Sequence, residues 1–439
     1  MMTSIRGINF RLFLVLFLSN FIPVIYSTFR VYFLGAIPDT WGYSIAAQAA
    51  WLNLFYEVIS EGLLLPLYFI LGQVISNPKL FSERINVALQ LVVSVYVLLS
   101  GAVLFFAEPL VQAMGQAESR LVATVSYIRL ESIALLLSSV YAVVMVVLVL
   151  QNRERLMYQL LVLKTVTIVA LDSILVSQLP ISFQLGVNGV AWSNIVVNAV
   201  LTLISLRWLF HSGITLTTDT PWAQQIWLKE WMRISVKSGL ESLVRNLAFM
   251  LMILKMVNEV EQAGVYWVTN QFIWGWLLLP VITLGNLIKQ DSAKNGGELG
   301  ARFKGYFQVT LFISTIWLLT LPSWEWFVHR IMGAPQASEI AYLAGLMLAF
   351  YIVFAFNNIL DSYFYGIGRT DMLLYQSLIV SCFYYGSAYL LYLQGKFVPT
   401  LDSIAILFGI GITLDALVTA VLFYIAVGKE RLWQLSHSV

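Results

Sequence analysis

Read as apolar and polar positions, the chain is a succession of long apolar runs separated by short polar stretches. A helix needs about 20 apolar residues to cross the hydrocarbon core of a bilayer. On that measure the pattern predicts twelve spans. Six fall in the first half, over 12–34, 45–75, 85–107, 122–150, 157–179 and 187–210. Six fall in the second, over 232–257, 264–288, 305–328, 340–366, 373–395 and 402–427. The long polar stretch between the halves is 211–231, which holds Thr215 to Thr220 and Pro221. The chain thus divides into a lobe over 1–210, an inter-lobe linker over 211–231, and a second lobe with a short tail over 232–439. Residues 12–29 carry no charge and follow Arg6 and Arg11, with no small-x-small cleavage site after them. They are expected to be a retained first span rather than a leader.

The halves repeat one another. Leu63-Leu64-Leu65-Pro66 returns as Leu277-Leu278-Leu279-Pro280, Met114-Gly115 as Met332-Gly333, and Tyr158-Gln159 as Tyr375-Gln376. The offsets are 214, 218 and 217 residues, in order. A near-constant offset argues for tandem duplication, and two similar bundles in one membrane chain usually mean a transporter with its path between them. The expected fold is an all-α membrane protein of twelve transmembrane helices in two pseudo-symmetric six-helix lobes.

Composition excludes a soluble domain: 59% of the residues are apolar and 11% charged, against roughly 25% charged in soluble chains. A net charge of +2 gives no sign of nucleic-acid binding. Cys382 is the one cysteine, and His211, His329 and His437 fall at segment ends or in the tail. No metal site, no cofactor and no catalytic constellation is therefore expected, and the chain does not read as an enzyme. Loop charge orients it. One set of loops holds fourteen Lys and Arg, the alternate set only Arg120, Arg330 and Lys396. Excess positive charge marks the cytoplasmic side. The expectation is a multi-pass protein of a plasma membrane, the bacterial inner membrane, with both termini cytoplasmic. The partners expected are the lipid bilayer and a small-molecule substrate, for a monomer.

Charges inside spans are costly unless paired, neutralised or wet, so they mark candidate sites. In span 2, Asn53, Glu57 and Glu61 stand at i, i+4 and i+8 on one face. Two carboxylates one turn apart should hold one proton between them, which suits proton coupling; the alternative is a static pair with an Arg of another helix. Span 7 offers Glu241 and Arg245, i and i+4 in the order that favours self-pairing. Span 8 offers Asn270 and Gln271, and span 10 offers Asn357, Asn358 and Asp361. With Trp267, Trp274, Trp276, Tyr363 and Tyr365 nearby, such a lining suits an amphipathic or cationic molecule. Lys164, Arg207, Arg233, Lys237 and Lys255 are placed near span ends, where they can snorkel; Arg30 is harder to explain that way.

Four stretches in order resemble the multidrug and toxic compound extrusion (MATE) family: Leu18-Ser19-Asn20, Leu185-Gly186-Val187-Asn188-Gly189-Val190-Ala191, Ser238-Gly239-Leu240-Glu241-Ser242-Leu243, and Gly366-Ile367-Gly368-Arg369-Thr370-Asp371. The resemblance covers nearly the whole chain. It implies a central cleft between the lobes and rocker-switch export driven by sodium or protons. Members often carry an Asn-x-x-x-Asp in span 5 near an Asp in span 1. Asp172 matches the span-5 acid, but Ile168 stands in the Asn place and Arg30 at or beside the span-1 acid. Some members use acids of spans 7 and 10, which Glu241 and Asp361 resemble in placement. A fixed Arg30–Asp172 pair would move coupling to Glu57 and Glu61 or to Glu241 and Asp361. The reading is a secondary antiporter exporting small amphipathic or cationic compounds for protons or sodium. The alternative is a flippase for a lipid-linked oligosaccharide or other anionic amphiphile, for which Arg30, Arg129 and Arg245 would be the basic residues.

Overall fold

The computed structural model describes residues 8–36, 41–151, 153–214, 226–294, 301–367 and 369–427, and these are helical with short connections. In chain order the helices are α1 (Phe10–Gly35), α2 (Trp41–Ala46), α3 (Ala49–Gly72), α4 (Pro78–Ala113), α5 (Leu121–Leu150), α6 (Glu154–Leu175) and α7 (Gly186–His211). Then come α8 (Ile226–Phe249), α9 (Lys255–Glu259), α10 (Ala263–Phe272), α11 (Leu279–Lys294), α12 (Ala301–Thr320) and α13 (Trp324–Arg330). The chain closes with α14 (Ala337–Gly366), α15 (Thr370–Ile379), α16 (Gly386–Leu393) and α17 (Leu401–Val427). Most of the expected linker, 215–225, lies outside the described residues.

Local chemistry sets several ends and bends. Asn77 accepts from the Leu80 N–H and Pro78 follows it, so α4 starts with a side-chain cap and a residue that has no N–H to lose. Pro109 cannot donate to the preceding turn, and α4 kinks at Phe106 (φ −103°, ψ 16°). Three runs contain a π-turn: Met250–Leu254 between α8 and α9, Ile273–Leu277 before α11, and Val380–Tyr385 between α15 and α16. The second lies next to Pro280 and a bend of 53°. Pro66, its counterpart in the repeat, sits inside the unbroken α3.

Every predicted span coincides with a helical run, but not every run passes as a span. Among the described residues nine helices are long and apolar enough to cross a membrane, ten if the bent α10–α11 pair is one span. The exceptions have physical causes. Helix α8 carries Lys229, Glu230, Arg233, Lys237, Glu241 and Arg245, and the α15–α16 run is broken by its π-turn.

The chain forms two compact units, and they are not the two sequence halves. One holds residues 33–264, the other residues 1–32 with 265–439. Each unit therefore contains the last five spans of one half and the first span of the other. In the first unit α8 packs against α3, with Gly62 and Gly239 in near backbone contact: a Cβ on Gly62 would sit 3.4 Å from the Gly239 Cα. The Trp231 indole donates to the Leu63 carbonyl at 3.1 Å, and Ser238 to the Glu61 carbonyl at 2.8 Å. Helices α5 and α7 are joined by a polar ladder in which Asn194 donates to Glu131, Asn198 to the Ala134 carbonyl and Thr202 to the Leu137 carbonyl.

In the second unit α1 packs on α11 and on the π-turn before it. Ile8, Leu12, Phe13 and Leu16 join a cluster around Leu284, Ile288, Tyr306, Phe364 and Phe423. Further along, Asn20 donates to the Thr283 hydroxyl at 3.2 Å and the Trp276 indole to the Thr28 hydroxyl at 3.1 Å. Tyr32 lies over Gly333, where a Cβ would collide with its ring. This packing explains why a first helix described by sequence as part of lobe one is compact with the other half.

Candidate functional site

The span-2 stripe lies in the first unit, and its two acids share one cation. The Arg245 guanidinium donates to Glu61 at 2.8 Å and to Glu57 at 3.4 Å. The close approach at Gly62 and Gly239 brings α8 near enough for this. All three side chains are partly exposed, at 38% for Arg245, 44% for Glu57 and 25% for Glu61. Asn53, one turn before Glu57, is exposed. The expectation that Glu57 and Glu61 share a proton assumed two acids with no cation between them. The guanidinium of α8 supplies that cation. Arg245 was also expected to pair along its own helix with Glu241, whose side chain lies outside the described residues; the bonds described for Arg245 run across to α3.

Two further polar features lie in the first unit. Glu131 is buried on α5 and accepts from the Tyr127 hydroxyl at 3.3 Å and from the Asn194 amide. Gln48, before α3, and Asn258, on α9, exchange two amide hydrogen bonds at 2.7 and 2.9 Å. The Trp51 indole donates to Gln48, Asn258 donates to the Met114 carbonyl, and Arg120 links Ser44 to Glu261. Lys164 is a correction. It stands near the middle of α6, not near its end, with its ammonium 5.9 Å from the Tyr141 ring centre.

Asp172 is buried in the first unit, on α6. Arg30 belongs to the second, on α1, with its guanidinium 5.8 Å from the Tyr26 ring centre. A shallow groove of about 790 Å³ runs along one face of α6 between Arg155 and Val166. It is wide open and includes none of the candidate acids, so the site is not placed there.

In the second unit Asp361 gathers polar groups from two helices. Asn357, one turn earlier on α14, donates to its Oδ2 at 2.9 Å, and Thr419 of α17 donates to its Oδ1 at 3.3 Å. Asn358 donates to the Val281 carbonyl beside Pro280, and Gly285 is the residue that lets α11 approach: a Cβ there would sit 2.7 Å from both Asn358 and Ser362. The Asn357 Oδ1 and Ser362 Oγ atoms are buried and have no hydrogen-bond partner in the protein. Asn270 and Gln271 are half-buried on α10, in the same unit. A carboxylate with two neutral donors and two further buried oxygens nearby can hold a proton or a small hard cation. Among the described residues no three His, Cys, Asp or Glu side chains are grouped to hold a metal ion.

No family model matches the sequence, and no curated protein matches it by sequence. Solved structures match over nearly the full length. An inward-facing multidrug resistance MATE family transporter of the MOP superfamily is 16% identical, with a TM-score of 0.70 over 95% of this chain and 100% of that one. A MATE structure in a bent conformation is 16% identical, with a TM-score of 0.65 over 97% of each chain. A MOP superfamily transporter from Pyrococcus furiosus, described as having a binding pocket of reversed polarity that suggests a different function, is 17% identical, with a TM-score of 0.66 over 99% and 98%. The chain thus has the fold of the MATE transporters of the MOP superfamily.

Proposed function

We propose that the protein is a secondary active transporter that exports small amphipathic or cationic compounds in exchange for protons or sodium. It would sit as a monomer in the bacterial inner membrane, with both termini cytoplasmic. The observation that carries this reading is the Asp361 site, a carboxylate on a helix of a transporter fold, held by neutral donors beside two unpartnered buried oxygens. An exporter needs an ion site whose occupancy differs between its two states. The acids of α3 suit that role less, because Arg245 already neutralises part of their charge. The same commitment of Arg245 weakens the flippase reading, which would use that guanidinium for an anionic head group.

The test is uphill transport of a fluorescent organic cation by purified protein in liposomes, under a proton or a sodium gradient. Wild type should concentrate the dye under one gradient, and Asp361→Asn should abolish the gradient dependence. Unchanged uphill transport by Asp361→Asn would remove Asp361 from coupling. Transport of an anionic lipid amphiphile alone would favour the flippase.

A further inference from the structure

Beyond Asp361, the second unit contains a chain of oxygens that the site described above does not use. Tyr266 of α10 and Tyr351 of α14 are each 2% exposed, and their hydroxyls have no hydrogen-bond partner in the protein. Asn270 and the Trp274 indole lie beside them, outside hydrogen-bonding geometry. Trp274 is 41% exposed, so the chain reaches the surface of the unit at that ring. The Tyr351 hydroxyl is within electrostatic reach of those of Tyr266 and Tyr385, and that of Tyr385 is within reach of Asp415.

Helix α17 connects this group to Asp361. The π-turn Val380–Tyr385 ends at Tyr385, whose hydroxyl lies where a Cβ on Gly411 would be. Gly411, Asp415 and Thr419 are spaced i, i+4 and i+8 and share a face of α17. One end of that face meets Tyr385, and the other donates to Asp361 through Thr419 at 3.3 Å. Asp415 stands between them, about 6 Å along the helix from each.

We propose that Asp415 is a proton relay, and that protons reach Asp361 through a path internal to this unit, from Tyr266 and Tyr351 through Tyr385 to Asp415 and Thr419. The proposal rests on Asp361 being the coupling site. Each phenol accepts a proton on an oxygen lone pair as its own proton passes to the next oxygen, so no hydroxyl ends with a changed charge. The Asp415 carboxylate takes up the proton and becomes an acid. It then protonates the Thr419 Oγ, whose original proton moves to Asp361 Oδ1 along the bond already in place. Asp415 returns to a carboxylate and Asp361 is neutral.

The experiment compares wild type, Asp415→Asn and Tyr385→Phe in liposomes, under a proton gradient and under a sodium gradient. Equilibrium binding of the dye serves as the control for folding. Asp415→Asn should bind dye as wild type does and slow proton-driven uptake by about 100-fold, the lower range for a positioned proton-transfer group. Tyr385→Phe should slow it in the same direction, and it carries the test if Asp415→Asn fails to reach the membrane. Both variants at wild-type proton-driven rates would overturn the path while leaving antiport intact. A wild type driven by sodium alone would also overturn the path and leave antiport standing. A wild type driven by neither gradient would overturn the antiport reading and the path with it.

Discussion

The Arg245 bridge gives the sharpest test of how the first unit is held together. Arg245→Gln removes the cation that two carboxylates share, at 2.8 and 3.4 Å. Two unit charges about 4 Å apart attract by roughly 4 kcal/mol at an effective dielectric constant of about 20. The raw figure must be discounted, because Arg245 and Glu57 are more than a third exposed and only Glu61 is more enclosed. Exposed pairs are worth about 0.2–1 kcal/mol, and breaking a buried pair costs about 3–5. The bridge falls between, so Arg245→Gln should cost about 2 kcal/mol. Glu61→Gln leaves the guanidinium its longer bond to Glu57 and should cost about 1 kcal/mol; Glu57→Gln, at the longer and wetter contact, should cost about 0.5. The assay is reversible unfolding in mixed micelles, run as a double-mutant cycle between Arg245→Gln and Glu61→Gln. A coupling energy of about 1 kcal/mol is expected. A coupling below about 0.3 kcal/mol, the range of independent sites, or a Glu57→Gln cost above that of Arg245→Gln, would refute the argument.

Three further outcomes follow from the same geometry. Gln48→Leu should cost about 1–3 kcal/mol by stranding the buried Asn258 amide, and Gln48→Leu/Asn258→Leu should recover much of it, both read by the same unfolding assay. Gly333→Ala should lower the melting temperature and leave less folded protein in size-exclusion runs, because Gly333 has φ +65° and a Cβ would strike the Tyr32 ring. In the first turn of α15, the hydrogen bonds from Arg369 hold the Asp371 carboxyl below its ordinary range. A depressed native value gives stability that is present above the unfolded value and lost as pH falls through the native one. Melting below pH 4 should thus become less pH-dependent in Asp371→Asn.

Spans and loops were legible because a bilayer imposes a length and an apolarity that no soluble context requires. The limits came where helices are not apolar or not regular. Helix α8 carries six charged residues along its length, and the π-turn at Val380–Tyr385 leaves no sequence mark as plain as a proline. The exchange of first helices between halves was invisible, because hydropathy says which segments cross and not which neighbours they choose. The Glu57–Glu61 stripe was readable from its i, i+4 spacing, while its cation sits 184 residues from Glu61 in sequence. Gly411, Asp415 and Thr419 carry a stripe of the same period and could have been found by the same rule. The tyrosine that meets it comes from the last π-turn, and that meeting has no local signal.

A duplicated scaffold does not oblige its halves to do the same work. In the first unit the acids of α3 face a guanidinium delivered by the first helix of the other half, so part of their charge is answered by a residue that cannot leave or be deprotonated. In the second unit the first helix of the other half delivers aromatic rings and the neutral Asn20, and the Asp361 carboxylate is met by an amide and a hydroxyl. A neutral donor binds a carboxylate without fixing its charge, so the same bonds can accommodate the ion-bound and ion-free forms. A covalently attached cation stabilises the ionised form alone and opposes exchange. The bonds described at the two places therefore argue for structure at the acids of α3 and for exchange at Asp361. This assigns opposite results to two variants made in the same background: Glu61→Gln should lower stability and keep the gradient dependence of transport, and Asp361→Asn should keep stability and lose it.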